Sequence, residues 1–226
     1  MVFMSHLVIV AATGGIGRHI LTQALDAGHD VTAVVRNPDA LRGTAARVVR
    51  ADLTAPDPDV LLDAVAGTDA VLSGLGARTG REAGVASRGT RAIVAAMATA
   101  RVRRIVVVSA ASVGTVPSPL RPDPPRFNPG DGPMTRLVFA PVAKALFRPH
   151  YADLAIMEDL LRSSALDWTV SRPPRLLNRP LHATYRTATD INVRGGTFIS
   201  RADVAHHMLA MLDDPATIGH AVGVAY

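Results

Sequence analysis

The chain has 226 residues, 48% of them hydrophobic, enough to bury the core of one α/β domain. It has no cysteine, which excludes disulfides, thiolate nucleophiles and cysteine zinc sites and suits a reducing cytoplasm. The formal charge of +5 comes from scattered residues, nearly all arginine, and aromatics make up only 4%, so a basic, aromatic-lined nucleic-acid face is not expected.

The apolar run at 7–12 is too short for a membrane span and has no basic leader. It reads as a strand, 7–10, buried on both faces of a parallel sheet, and it leads into Ala11-Ala12-Thr13-Gly14-Gly15-Ile16-Gly17. Ile16, Ile20, Leu21, Ala24 and Leu25 then recur at helical spacing until Gly28, and 31–35 is a second apolar strand. Strand, glycine turn, helix and strand have the size of a βαβ crossover. A glycine turn there lets main-chain N–H groups approach a pyrophosphate without a Cβ in the way, and the helix adds its positive dipole end. Gly14 and Gly17 fit a GxxGxxG spacing whose first glycine is replaced by Ala11, so Ala11 is expected to keep a negative φ. Where NAD enzymes usually place an acid at the end of the second strand, this chain has Arg36-Asn37-Pro38. A guanidinium there attracts a 2′-phosphate, and Arg18 can add a second charge, so the expected dinucleotide is NADP.

A short helical piece at 39–42 precedes a third strand, 47–53, whose Asp52 and Leu53 can meet an adenine; Asp52 suits a helix cap equally well. After a helix at 58–66, a fourth strand at 69–76 ends in Gly74 and Gly76, small enough for a ligand to pass close. Arg78 and Arg81 follow as candidates for a phosphate or an acidic substrate, then a helix at 85–100. The fifth strand, 103–112, is continuously apolar and therefore central, and places Ser109 at its terminus toward a nicotinamide, as a polarising or turn-capping hydroxyl. Residues 117–133 are crowded with proline and form either a lid or substrate wall or a surface excursion. Residues 134–147 have apolar helical character, interrupted at Pro141, suited to an oligomer contact or a cap.

Another amphipathic helix spans 151–161. Tyr151 invites comparison with the catalytic tyrosine of short-chain dehydrogenases, but position 155, where their lysine stands, is alanine. With no ammonium beside it, a tyrosine keeps a pKa near about 10 and is a poor acid–base group at neutral pH. The sixth strand, 167–172, stops at Pro173-Pro174, with Arg172 and the proline backbone at the cofactor end. Short strand-like pieces at 183–187 and 197–200, with Gly195-Gly196 as a turn, suggest a small lobe. Ser200 and Asp203 cap a final helix through Met211. His206 and His207 on it lack further ligands at metal spacing, and 219–226 closes as a strand.

With these segments in hand, the chain resembles the atypical short-chain dehydrogenase/reductase families described as NAD(P)H-binding or NmrA-like, which include flavin and biliverdin reductases. The carriers are ATGGIG (12–17), GHDVTAVVRNP (28–38), DAVLSGLG (69–76), RIVVVSA (104–110), LDWTVSRPP (166–174) and ISRADVA (199–205). The resemblance implies a doubly wound parallel sheet of Rossmann type in one domain, 1–226, with a small C-terminal substrate-side lobe and substrate-side loops at 117–150 and 175–200. It implies that Thr13, Gly14, Gly15, Ile16 and Gly17 hold the pyrophosphate and Arg36 the 2′-phosphate. Asp52 and Leu53 then frame the adenine, Gly74, Leu75 and Gly76 the nicotinamide ribose, and Ser109 and Pro173 the nicotinamide. Ser109 and Tyr151 are the catalytic candidates. The expected protein is a cytoplasmic, NADPH-dependent reductase of an electron-poor small molecule, monomeric or a small homo-oligomer. The alternatives are an NADP-binding redox sensor and an isomerase or dehydratase that keeps its cofactor.

Overall fold

A computed structural model of the chain describes residues 4–77, 82–133 and 135–226. The chain opens with β1 (His6–Val10), α1 (Gly17–Asp26) and β2 (Asp30–Val35). Beyond His6, β1 is apolar because both its faces are covered: Val8 and Val10 enter one core, Leu7 and Ile9 the other. α1 buries Ile20, Leu21 and Ala24 of the expected stripe, with Ile16 buried at its N-cap and Leu25 partly buried, and it also buries Gly17. It ends at Gly28, φ +83°, where the His29 N–H reaches back to the Ala24 carbonyl at 3.0 Å.

Then follow β3 (Arg47–Arg50), α2 (Pro58–Val65), β4 (Ala70–Ser73), α3 (Val85–Ala100) and β5 (Arg104–Val108). A π-helical stretch (Thr135–Phe139) leads into α4 (Ala140–Leu146) and α5 (Arg148–Arg162). The chain closes with β6 (Asp167–Arg172), β7 (Arg175–Leu177), β8 (Arg186–Thr189), β9 (Phe198–Ser200), α6 (Arg201–Ala210) and β10 (His220–Ala225).

The main sheet has the order β3-β2-β1-β4-β5-β6-β10-β8, and its neighbours are parallel except for β8 on β10. α1 and α6 pack on one face, α2, α3 and α5 on the other, so the sheet is doubly wound as the sequence predicts. β7 and β9 pair separately, in the region where the sequence suggests a lobe. Strand order reverses between β1 and β4, and in such sheets the crevice outside the carboxyl ends of the strands at that point takes the ligand.

The proline-rich loop is held in place. The Asn128 side-chain oxygen accepts from the N–H groups of Gly130 (3.1 Å) and Asn192 (2.8 Å), and the Leu120 N–H donates to Asp159 at 3.0 Å. Gly130 lies so close to the Asn192 carbonyl that a Cβ would stand 1.7 Å from its oxygen. The two loops expected on the substrate side therefore meet each other.

Candidate functional site

The glycine turn is built by close approach. A Cβ on Gly17 would lie 2.1 Å from the Ala11 carbonyl oxygen, and one on Gly74 would lie 3.0 Å from the Gly17 nitrogen. Gly17 lets the start of α1 close on the residue that follows β1, and Gly74 lets the end of β4 press against that helix start. Ala11 departs from the sequence expectation: its φ is +58°, left-handed, where a negative value was predicted. The reason is the turn itself, in which the Ala11 N–H stays bonded to the Val34 carbonyl (3.0 Å) while its own carbonyl already accepts from Gly14 (2.7 Å). Ala11 thus takes up a left-handed conformation that glycine enters freely. α1 starts with no side-chain cap and no acid in its first turn; the Arg18 and His19 N–H groups donate to the carbonyls of Gly14 (3.2 Å) and Ile16 (2.9 Å), and the positive end of the helix dipole faces the turn.

Beside this turn is a crevice of about 130 Å³ whose walls include Thr13, Arg36, Asp52, Leu53, Leu75 and Gly76. Sequence reasoning named all six, and folding brings them to one place. Arg36 donates to Glu82 at 2.9 Å, a partner that the sequence did not suggest. Asp52 accepts from the N–H (3.0 Å) and hydroxyl (2.8 Å) of Thr54, and these bonds, the main-chain one foremost, hold its carboxyl below the usual range. Gly14, Gly15, Ile16 and Gly17 form the adjoining turn and helix start without lining the crevice, and Arg18, exposed on α1, does not line it either. Arg78 and Arg81 lie outside the described residues.

Arg201, the first residue of α6, lies across the glycine turn. A Cβ on Gly15 would meet its Nε at 2.9 Å, and its Nη1 donates to Asn178 at 2.7 Å. The ISRADVA segment marks it in the sequence, but only the packing of α6 against α1 puts it there.

At the far end, Ser109 and Pro173 stand where the fifth and sixth strands stop: Ser109 N–H donates to Ser171 O (2.8 Å) and Ala111 N–H to Pro173 O (2.9 Å). The Ser109 hydroxyl proton is engaged, because it donates to Glu158 Oε1 at 2.8 Å. Glu158 is wholly buried and also accepts from Arg172 (Nε, 2.9 Å, with Nη2 on its other oxygen) and from Arg162 (2.7 Å). Burial pushes its carboxyl up, but the Arg172 guanidinium, then Arg162, overcome that, and it sits below the ordinary range. Arg172, expected to face the cofactor end, is consumed by this network.

Tyr151 lies on α5 and is half-buried. Burial raises its phenol, with a hydrogen bond to Ser112 working against the rise. The preceding residue, His150, touches Gly76: a Cβ on that glycine would lie 3.7 Å from the His150 ring. Position 155 is a buried alanine, yet Lys144 lines the same cavity as Tyr151, brought there by the turn between α4 and α5. His206 and His207 are taken up by Tyr185 (2.7 Å) and Ser171 (3.3 Å). Among the described residues no cluster of three or more His, Cys, Asp or Glu could hold a metal, and no helix is long and apolar enough to cross a membrane.

A doubly wound parallel sheet with a tight glycine turn and an uncapped helix start at its reversal point defines a dinucleotide-binding Rossmann protein. The model of the NAD(P)H-binding family matches residues 11–215, and the chain belongs to that family. It is 30% identical over 221 residues, 94% of this chain and 90% of the relative, to the uncharacterized sugar epimerase YhfK of Bacillus subtilis (strain 168). Its structure is similar to that of a Streptococcus pneumoniae TIGR4 protein provisionally called an NADH-flavin reductase (TM-score 0.74, 25% identity, 98% of this chain and 99% of that one). It also resembles a wide-type short-chain dehydrogenase/reductase from Veillonella parvula DSM 2008 in complex with NADP (TM-score 0.73, 19% identity, 99% and 95% covered), a likeness of fold alone.

Proposed function

We propose that the protein is a cytoplasmic NADPH-dependent oxidoreductase that passes a hydride to an electron-poor small molecule such as a flavin, quinone or enone. It would act as one domain, monomeric or in a small homo-oligomer, without nucleic acid. The observation that carries this reading is the crevice at the sheet's reversal point, where Thr13, Arg36, Asp52, Leu53, Leu75 and Gly76 line one wall beside the uncapped start of α1.

The residues present suit the dinucleotide. The main-chain amides at the glycine turn would hold its pyrophosphate, the turn itself being kept tight by Gly17 and Gly74. A 2′-phosphate carries close to two charges and would outcompete the single carboxylate of Glu82 for Arg36. Asp52 and Leu53 would frame the adenine, and Gly74, Leu75 and Gly76 the ribose near the nicotinamide. Ser109, whose hydroxyl donates a hydrogen bond to Glu158, keeps lone pairs that can accept from the carboxamide NH₂ beside the Pro173 backbone. Tyr151, paired with Ser112, would donate a hydrogen bond to the acceptor oxygen. The bound cofactor supplies the hydride. The protein's part is orientation and exclusion of water, the acceptor's proton coming from solvent.

In Arg36→Ala, affinity for NADPH should fall about tenfold or more while affinity for NADH changes little, measured by calorimetry. An unchanged preference would show that Arg36 does not read the 2′-phosphate. The similarity to YhfK favours a second reading, an isomerase that keeps its cofactor. That reading predicts substrate turnover without net loss of NADPH absorbance. A redox sensor would bind NADPH tightly and turn over nothing.

A further inference from the structure

A second cavity, of about 390 Å³, opens one residue further along α5. Val116, Pro117 and Ala145 give it apolar walls, while Lys144, Arg148 and Tyr151 bring polar groups to it. Its size is that of a small-ligand pocket. Tyr151 and Ala152 of α5 line it, and the preceding residue, His150, comes within 3.7 Å of where a Cβ on Gly76 would stand, Gly76 being part of the wall of the nucleotide crevice.

The charge of this cavity is one-sided. Of the side chains that line it, only Lys144 and Arg148 carry charge, and both are cationic. Among the described residues, neither Lys144 nor Arg148 has a carboxylate within 4.0 Å. Lys144 instead donates to the Thr115 main-chain carbonyl at 3.2 Å. Asp131 attracts the Lys144 charge without pairing with it, and two unpaired cations at the edge of an apolar hollow make an anion with an apolar body the complementary guest, since it covers the walls and meets both charges.

We propose that this cavity receives the acceptor, and that the acceptor carries a carboxylate or similar anionic group on a flat apolar body. Lys144 and Arg148 hold the anion, and the reducible end turns toward Tyr151 and the nucleotide crevice. The acceptor gains one hydride and one proton, and NADPH leaves as NADP⁺. This assignment of substrate class rests on the reductase reading above.

The test has an arm without cofactor and an arm with it. By ring fluorescence, the protein alone should bind anthracene carboxylate about tenfold more tightly than anthracene methanol, the worth of charge-assisted bonds to one guest. The ratio should fall to near one in the Lys144→Gln, Arg148→Gln double variant, and part of the way in Arg148→Gln alone, an exposed position where folding is not at stake. With NADPH present, naphthoquinone sulfonate should be reduced with a higher kcat/KM than unsubstituted naphthoquinone, an advantage carried by KM and lost in the double variant. A wild-type binding ratio near one, or a ratio that survives both substitutions, overturns the anion site. Failure to oxidise NADPH with either quinone sinks the reductase reading instead, and the binding ratio still decides the site.

Discussion

Arg201 and Ala11 show how much single side chains settle at this turn. Arg201 Nε lies where a Cβ on Gly15 would crowd it, so its guanidinium is positioned to meet the anionic bridge of a dinucleotide seated on the α1 amides. Arg201→Ala should weaken NADPH and NADH binding alike, about tenfold, because the pyrophosphate is common to both. An unchanged Kd for both, measured by calorimetry, would leave Arg201 only its bond to Asn178. Ala11 holds φ at +58°, a region that costs an L-residue about 1–2 kcal/mol, whereas glycine enters it freely at an entropic cost of about 0.5–1 kcal/mol. Ala11→Gly should therefore raise the unfolding free energy by up to about 1 kcal/mol in urea titrations. A loss of stability would mean that the left-handed turn is not strained.

At the scale of elements, α3 and α5 are joined by a cap that neither helix supplies for itself. α3 begins after Gly84 with no side-chain cap of its own, and the Asp153 carboxylate of α5 accepts from the N–H groups of Ala86 and Ser87, both at 3.0 Å. The buried carboxylate also meets the positive end of the α3 dipole. Asp153→Ala should cost about 1–2 kcal/mol, and Asp153→Asn less, since the amide oxygen still accepts. Equal losses in the two variants would place the stabilisation in the charge alone. The same helix carries Tyr151 toward the cavity and Glu158 into the core, so loosening this cap should also raise the KM for acceptor.

At the scale of the whole molecule, acid should undo the fold partly through α6. Burial, helped by His206, holds the His207 imidazole down to about 4, while its ordinary value is 6.5. The unfolded chain binds that proton first, so the stabilisation is complete above about pH 6.5 and is lost as pH falls toward 4, amounting to about 3 kcal/mol. Denaturation curves across that window should flatten in His207→Gln, which removes the titrating group and can still bond Ser171. A slope that the substitution leaves unchanged would assign the acid sensitivity elsewhere.

The wall of the crevice was legible residue by residue because each member follows a strand end: Thr13 after β1, Arg36 after β2, Asp52 and Leu53 after β3, Leu75 and Gly76 after β4. Apolar periodicity and glycine placement are local quantities, and in a parallel sheet they bring successive strand ends to a common edge. By itself the sequence thus determined the doubly wound sheet, the strand ends that form its crevice and the arginine in the crevice wall. Only the tertiary structure decided that Ala11 turns left-handed, that Glu82 sits on Arg36, that Glu158 occupies Ser109 and Arg172, and that Lys144 shares a cavity with Tyr151. Those are choices of backbone closure and charge pairing between segments far apart in the chain. Their energies depend on burial and separation, which no local pattern encodes.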